Sequence, residues 1–381
     1  MSLSEDAVRI LTPEGRIEPN EAAEPYLHQL ERLSAEDLRR AFRDMSFVRA
    51  FDRESTNLQR QGQLALYVPC EGQEGAQIGS AYAARPQDTL FPSYREHGVA
   101  FVRGIDLLEV LRLLRGVTHG GWDPAEHNMR LYCLVIGSQT LHATGYAMGQ
   151  RLDGAIGSGD PERDEATMVY FGDGATSQGD TNEALVFAAS YRTPQVFFLQ
   201  NNQWAISVPV STQSRTPLYR RAAGFGVPSV QIDGNDVLAS FAVTRTHLDE
   251  ARAGRGPAFV EAVTYRIGAH TTSDDPSKYR PAEEVEQWRE RDPVLRLERY
   301  LRAEGTGEDF FRAVAEQAAE YAAGIRAACL ELTPPDPASM FAHVYSEPHP
   351  LVRQEAEWFA RYEASFEADE APAANGTEAS R

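Results

Sequence analysis

Apolar positions recur first at helical and then at strand-like spacing. In "SAEDLRRAFRDMSFVRAFDRE", residues 34–54, Leu38, Phe42, Met45 and Val48 to Phe51 fall on one helical face, and Ser34 is placed to cap it. "EGAQIGSAYAA" predicts a second helix, stopped at Arg85-Pro86, and "DLLEVLRLLRGV" a third. Residues 116–129 carry Gly, His and Asn and read as a loop. "RLYCLVIGSQ" is a continuous apolar run, which predicts a buried strand ending at Gly137-Ser138, and "TLHATGYAMGQRL" a helix of small residues. After a surface turn at 153–166 the alternation becomes regular. A strand is expected at 167–171, a helix at 181–191 and a strand at 195–199. "VPSVQIDGND" then reads as strand and turn, "VLASFAVTRTHLDEARAG" as a helix and "PAFVEAVTYRIG" as a strand. This βαβαβ order specifies an α/β fold, a doubly wound and mostly parallel sheet with flanking helices. Polar residues 1–33 read as an extended N-terminal arm, 34–350 as the main domain with a helical C-terminal part, and 351–381 as a terminal helix with a disordered acidic tail.

Composition narrows the function classes. Of 381 residues 42% are apolar, enough for one large core, and the net charge of −19 argues against nucleic acid or an anionic membrane as partner. Three separated cysteines, Cys70, Cys133 and Cys329, form no CxxC and read as reduced thiols in a cytoplasmic protein. The first residues lack the apolar core of a signal peptide, and no segment has the apolar length to span a bilayer.

Candidate chemistry sits just past two strands. Asp173 lies between Gly172 and Gly174, and 26 residues, 175–200, separate Gly174 from the pair Asn201-Asn202. That length fits one helix and one returning strand. Ligands of doubly wound sheets bind outside the carboxyl ends of the strands, so Asp173 and Asn202 can converge there. Hard oxygen ligands at an open crevice suit Mg²⁺ shared with phosphates, and the glycines let the backbone approach an anion. Either motif alone is more often a turn. A dinucleotide site would need a third glycine where Ser177 stands, and no P-loop run exists.

With "SYREHG" (93–98), "IGSQTLHATG" (136–145), "GDGATSQGD" (172–180), "QNNQWAIS" (200–207), "IDGNDVLA" (232–239) and "YRIGAHTTSDDPSKYR" (265–280), the chain resembles the α subunit of the E1 component of 2-oxo acid dehydrogenase complexes over about residues 35–350. The resemblance implies the thiamin-diphosphate-binding fold and an enzyme that decarboxylates a 2-oxo acid and passes the acyl unit to the lipoyl group of an E2 acyltransferase. It implies thiamin diphosphate and Mg²⁺ as cofactors. Asp173, Asn202 and the carbonyl of Trp204, where the family usually has Tyr, would hold the metal. Tyr94 and Arg95 would clamp the diphosphate, with Gly172, Gly174 and Ala175 lining it, while Ser138 and Thr140 would lie near the pyrimidine through their backbone. His270 would contact the diphosphate or move protons as the catalytic residue. Gln200 stands where one relative has Arg. His142 reads as a packing residue. The loop 271–280 resembles one that orders with cofactor and in some relatives carries phosphoserine, with Thr271 here at the matching position. In the family a carboxylate that contacts the pyrimidine comes from a separate β subunit, which implies an α₂β₂ heterotetramer. The substrate is left between branched-chain 2-oxo acids such as 3-methyl-2-oxobutanoate, which the loop favours, and pyruvate. Acetoin dehydrogenase, a non-catalytic scaffold and a nicotinamide enzyme are the other readings.

Overall fold

The computed structural model describes residues 3–370. Five strands form one sheet, every neighbouring pair parallel: β1 (Thr89–Phe91), β2 (Thr167–Gly172), β3 (Gln195–Asn201), β6 (Ser229–Asp233) and β7 (Ala258–Val263), in the order β1-β2-β3-β7-β6. A separate short hairpin, β4 (Trp204–Ala205) and β5 (Val208–Pro209), follows β3. The central strands are apolar without alternation because both of their faces are covered. On one face Val169, Phe171, Phe197, Leu199 and Phe259 pack with Ala143, Ala184 and Ala188 of the helices Ser138–Leu152 and Gly179–Tyr191. On the other, the Tyr170 hydroxyl meets Ser80 of the helix Glu74–Ala83 at 3.0 Å.

That helix uses its small residues within the chain. A Cβ at Gly79 would lie 2.5 Å from the carbonyl of Val237, which opens the helix Val237–Arg252. Gly145 and Gly149 differ: a Cβ at either would meet nothing within 4 Å. His142, on the same helix, is exposed rather than packed.

The run "RLYCLVIG" is not a strand. Next to the parallel bridge Leu90↔Met129, the Arg130 amide donates to the Leu90 carbonyl at 2.8 Å and the Cys133 amide to the Ser93 carbonyl at 2.7 Å; the run then turns outward, leaving Leu134 61% and Val135 70% exposed. Tyr132 packs inward, its ring 5.1 Å from that of Trp122 and its hydroxyl 2.8 Å from His97 Nδ1, while Leu134, Val135 and Ile136 fill no inner face among the described residues. The strand of the main sheet that the pattern missed is β1, at its edge, three residues long and too short to show a period. The helix predicted from Ser34 forms as Ala35–Arg60, with a reciprocal capping box between Ser34 and Asp37.

The N-terminal segment is docked. Val8 bridges Ile232 in parallel and exchanges backbone hydrogen bonds with Gln231 (2.9 Å) and Asp233 (3.0 Å), covering the β6 edge. Glu21–Arg32 then winds into a 3-10 helix instead of staying extended. Asp236 ties this segment to the domain: its carboxylate accepts from the amides of Ile10 (2.6 Å), Leu11 (2.7 Å), Leu238 (2.9 Å) and Ala239 (3.0 Å). Asp236→Ala removes a helix cap and strands two buried arm donors, so the expected loss is about 2–4 kcal/mol in urea unfolding at pH 7. A loss below 1 kcal/mol, on the scale of an ordinary surface change, would show that the arm is not held this way.

The described residues form two compact units, divided between Glu331 and Leu332. The second contains a turn at Pro337–Phe341 and the helix Pro350–Glu370. The tail predicted to be disordered lies, from residue 371, outside the described residues. Among the described residues no helix is long and apolar enough to cross a membrane.

Candidate functional site

Four parallel strands deliver one functional segment each from their carboxyl ends, the position where such sheets bind ligands. Tyr94 and Arg95 follow β1, Asp173 follows β2, Asn202 and Trp204 follow β3, and Arg266 and His270 follow β7. Tyr94, Arg95, Gly172, Asp173, Gly174, Ala175, Asn202, Trp204 and His270 all line one cavity, together with side chains of Gln73, Gln139 and Gln200. Ser138 and Thr140 are not brought to its wall. Their hydroxyls turn back onto the carbonyls of Val135 (2.9 Å) and Gly137 (2.6 Å), which satisfies the first turn of their helix. Ile136, Gly137 and Gln139 form that part of the wall.

Asp173, Asn202 and Trp204 bring three oxygen donors to the cavity wall. Asp173 is 1% exposed, and burial pushes its carboxyl above the usual range. Gln213 donates to its Oδ2 at 2.6 Å. Asn202 Oδ1 accepts the Trp204 amide at 3.3 Å. The Trp204 carbonyl accepts from Arg266 Nη1 at 3.1 Å and keeps a second lone pair. Carboxylate, amide oxygen and carbonyl are the donor set of a hard cation, and Gly172 leaves open space where a Cβ would point. The Trp204 ring is anchored: its indole N–H donates to Glu284 Oε1 at 3.1 Å, and its centroid lies 5.5 Å from that of Tyr279.

Two guanidiniums stand beside these donors. Arg95 Nη2 donates to His270 Nδ1 (3.3 Å) and to the His270 carbonyl (3.0 Å), and Nη1 donates to the Pro69 carbonyl. Arg266 reaches the same imidazole nitrogen at 3.4 Å, the Ile206 carbonyl at 2.9 Å and the Tyr279 hydroxyl at 2.8 Å. Among the described residues no carboxylate pairs with either guanidinium, although Arg95 is 5% and Arg266 0% exposed. Arg266 Nε has no partner at all. Burial, Arg95 and Arg280 together lower the Arg266 pKa to about 10. Buried cations without an anion are expensive, so the site is built for one. The sequence reading missed Arg266. Its signal was spacing: it stands four positions before His270, past the strand end.

Both neighbours of His270 Nδ1 are donors, so Nδ1 is the acceptor and the neutral ring carries its proton on Nε2. Burial, then Arg95 and Arg266, lower this imidazole to about 3, against a partial opposing pull from Asp274. The folded-state value is depressed, so the unfolded chain takes the proton first and His270 lowers stability as pH falls from about 6.5 towards 3. The expected NMR result for the cofactor-free protein is a His270 ring that stays neutral from pH 8 to pH 5. A midpoint near 6.5 would contradict the geometry.

A carboxylate also borders the cavity. Glu96 accepts from the Ser93 amide (2.7 Å), the Arg95 amide (3.2 Å) and Gln200 Nε2 (2.6 Å), so Gln200 neutralises nothing and instead holds Glu96 back. The first asparagine of the pair is structural: Asn201 Nδ2 donates to Glu261 at 2.6 Å, and that carboxylate also takes the Tyr219 amide at 2.9 Å.

The family described as "Dehydrogenase E1 component" matches residues 43–329. A 3-methyl-2-oxobutanoate dehydrogenase subunit alpha of Mycobacterium tuberculosis is 44% identical over 360 residues, 94% of each chain. A pyruvate dehydrogenase E1 component subunit alpha of Acholeplasma laidlawii is 36% identical over 352 residues, 90% of this chain and 96% of that protein. A protein of the same description from Staphylococcus aureus is 36% identical over 289 residues, 75% of this chain and 76% of its own.

Proposed function

The chain belongs to the dehydrogenase E1 component family, and on that premise we propose that it is the α subunit of a 2-oxo acid dehydrogenase acting on branched-chain acids such as 3-methyl-2-oxobutanoate. It is a thiamin-diphosphate-dependent oxidoreductase. The observation that carries the reading is the pair of buried guanidiniums, Arg95 and Arg266, without a paired carboxylate. A diphosphate supplies the missing charge, and the Asp173, Asn202 and Trp204 oxygens suit the Mg²⁺ that would accompany it. When bound, thiamin diphosphate supplies the chemistry that releases CO₂ from the 2-oxo acid and carries the acyl unit.

The chain's own residues bind, orient and handle protons. Arg95 and Arg266 compensate the diphosphate charge, with Tyr94 beside them, its ring 6.4 Å from that of His270. Neutral His270 presents Nε2–H to the anion and can pass that proton during acyl transfer to the lipoyl group of an E2 partner. The substrate assignment rests on the Mycobacterium relative. The pyruvate-named relatives supply the second reading.

The cavity is rimmed by apolar residues that water would otherwise cover. Ile136 (39% exposed) and Ile206 (54%) line it, and Leu134 and Val135 adjoin them. Val186, Phe187 and Tyr191 add an exposed apolar face on the helix Gly179–Tyr191. Faces of this kind mark protein interfaces, and they support a β subunit closing the site in an α₂β₂ assembly. We place the enzyme in the cytoplasm, where its three free thiols stay reduced. Calorimetric titration tests the reading. The expected result is Mg²⁺-dependent thiamin diphosphate binding, with turnover only when the β-type partner is present. Full turnover by the isolated chain would contradict the shared site.

A further inference from the structure

The sequence "EGQEG", residues 71–75, carries a glutamine that neither motif nor resemblance singled out. Gly72 has φ +96, and a Cβ there would lie 2.3 Å from the carbonyl oxygen of Tyr265, so only glycine lets this turn press against the chain leaving β7. Thr264 Oγ1 locks the contact by donating to the Gly72 carbonyl at 2.6 Å. Gln73 is thereby held fully buried on the cavity wall.

The two ends of its amide do different things. Oε1 accepts from Asn202 Nδ2 at 3.3 Å. Asn202 has one oxygen and one nitrogen, and only the oxygen can serve a cation. With Nδ2 taken by Gln73 and the Trp204 amide donating to Oδ1, the asparagine cannot turn over without setting donor against donor. The other end, Gln73 Nε2, is buried and has no partner. A buried donor without an acceptor is costly, and the cavity it borders is also lined by Arg95, a guanidinium with no paired carboxylate among the described residues.

We propose that Gln73 is a positioning residue for the site: its Oε1 fixes Asn202 with the oxygen available to the metal, and its Nε2 donates to the anion bound beside it. The proposal rests on the functional reading above. The two roles separate chemically. Gln73→Met keeps the length and loses both the acceptor and the donor. Gln73→Glu keeps the acceptor for Asn202 Nδ2 but loses the donor and adds a negative charge beside the anion.

The experiment uses the full chain assembled with its β-type partner. Bound Mn²⁺ is read by electron paramagnetic resonance without cofactor, thiamin diphosphate affinity by calorimetry, and the thermal midpoint by scanning. Gln73→Met is expected to weaken both Mn²⁺ and cofactor by roughly 10- to 100-fold with little change in midpoint, the scale of an outer-sphere change. Gln73→Glu is expected to keep Mn²⁺ binding at or above the wild-type level and to weaken the cofactor alone. If both variants lower the midpoint and move the two affinities together, Gln73 is a packing residue and the proposal is overturned. Wild-type affinities in Gln73→Met overturn it equally. Failure of the wild-type assembly to bind Mn²⁺ or thiamin diphosphate would instead remove the functional reading, and this inference with it.

Discussion

Asp173→Asn is expected to give a well-folded chain with no measurable turnover. The carboxylate is buried, and burial raises its pKa, so the folded protein bears the cost of a charge that Gln213 and, through space, Arg266 and Arg95 offset in part. The amide has nearly the same shape and carries no charge. The thermal midpoint of the cofactor-free protein should therefore hold steady or rise, a trade of stability for function. On the proposed reading the metal would lose the one anionic ligand among Asp173, Asn202 and Trp204. Outer-sphere changes cost roughly 10- to 100-fold, so loss of this direct ligand should exceed about 1000-fold in kcat/KM. Raising Mg²⁺ to tens of millimolar should restore little. Turnover within tenfold of wild type would show that Asp173 does not hold the metal.

Arg95→Met and Arg266→Met are expected to strike the anion. Each removes a buried, charge-assisted donor, at about 2–5 kcal/mol, or roughly 30- to 4000-fold in the affinity for thiamin diphosphate. A second readout separates this from general damage. Arg95 and Arg266 both hold the His270 pKa down, Arg95 the more strongly, so either substitution should move the imidazole up from about 3, and Arg95→Met should move it further. A variant that loses cofactor affinity while His270 stays unmoved would break the link between the guanidiniums and the imidazole.

Much of this was legible in the sequence because it rests on period and punctuation. Strands β2, β3 and β7 carry apolar runs, and the helix after Ser34 a helical period of apolar residues, bounded by turn or capping residues. The glycines around Asp173 and the pair at Asn201 marked strand ends for the same reason. What was not legible depended on surroundings that no local window contains. "LYCLVIG" has the composition of a core strand, yet Leu131, Leu134, Val135 and Ile136 face out. Sequence cannot distinguish burial in the same chain from burial against another. Ser138 and Thr140 were expected to act through their backbone, and their hydroxyls serve their own helix start. Arg266 and Gln73 were passed over because each looks ordinary alone. They acquire meaning only where β7 and the turn at Gly72 meet the end of β3, across nearly 200 residues of chain.

The central claim is that these residues assemble a thiamin-diphosphate site working on branched-chain 2-oxo acids. The most direct measurement is 2-oxo acid decarboxylation by the chain co-expressed with its β-type partner, with thiamin diphosphate, Mg²⁺ and an artificial electron acceptor. The expected result is cofactor-dependent turnover with 3-methyl-2-oxobutanoate preferred over pyruvate. A clear preference for pyruvate would overturn the substrate assignment and keep the site. No turnover on either acid, together with no cofactor binding, would contradict the account as a whole.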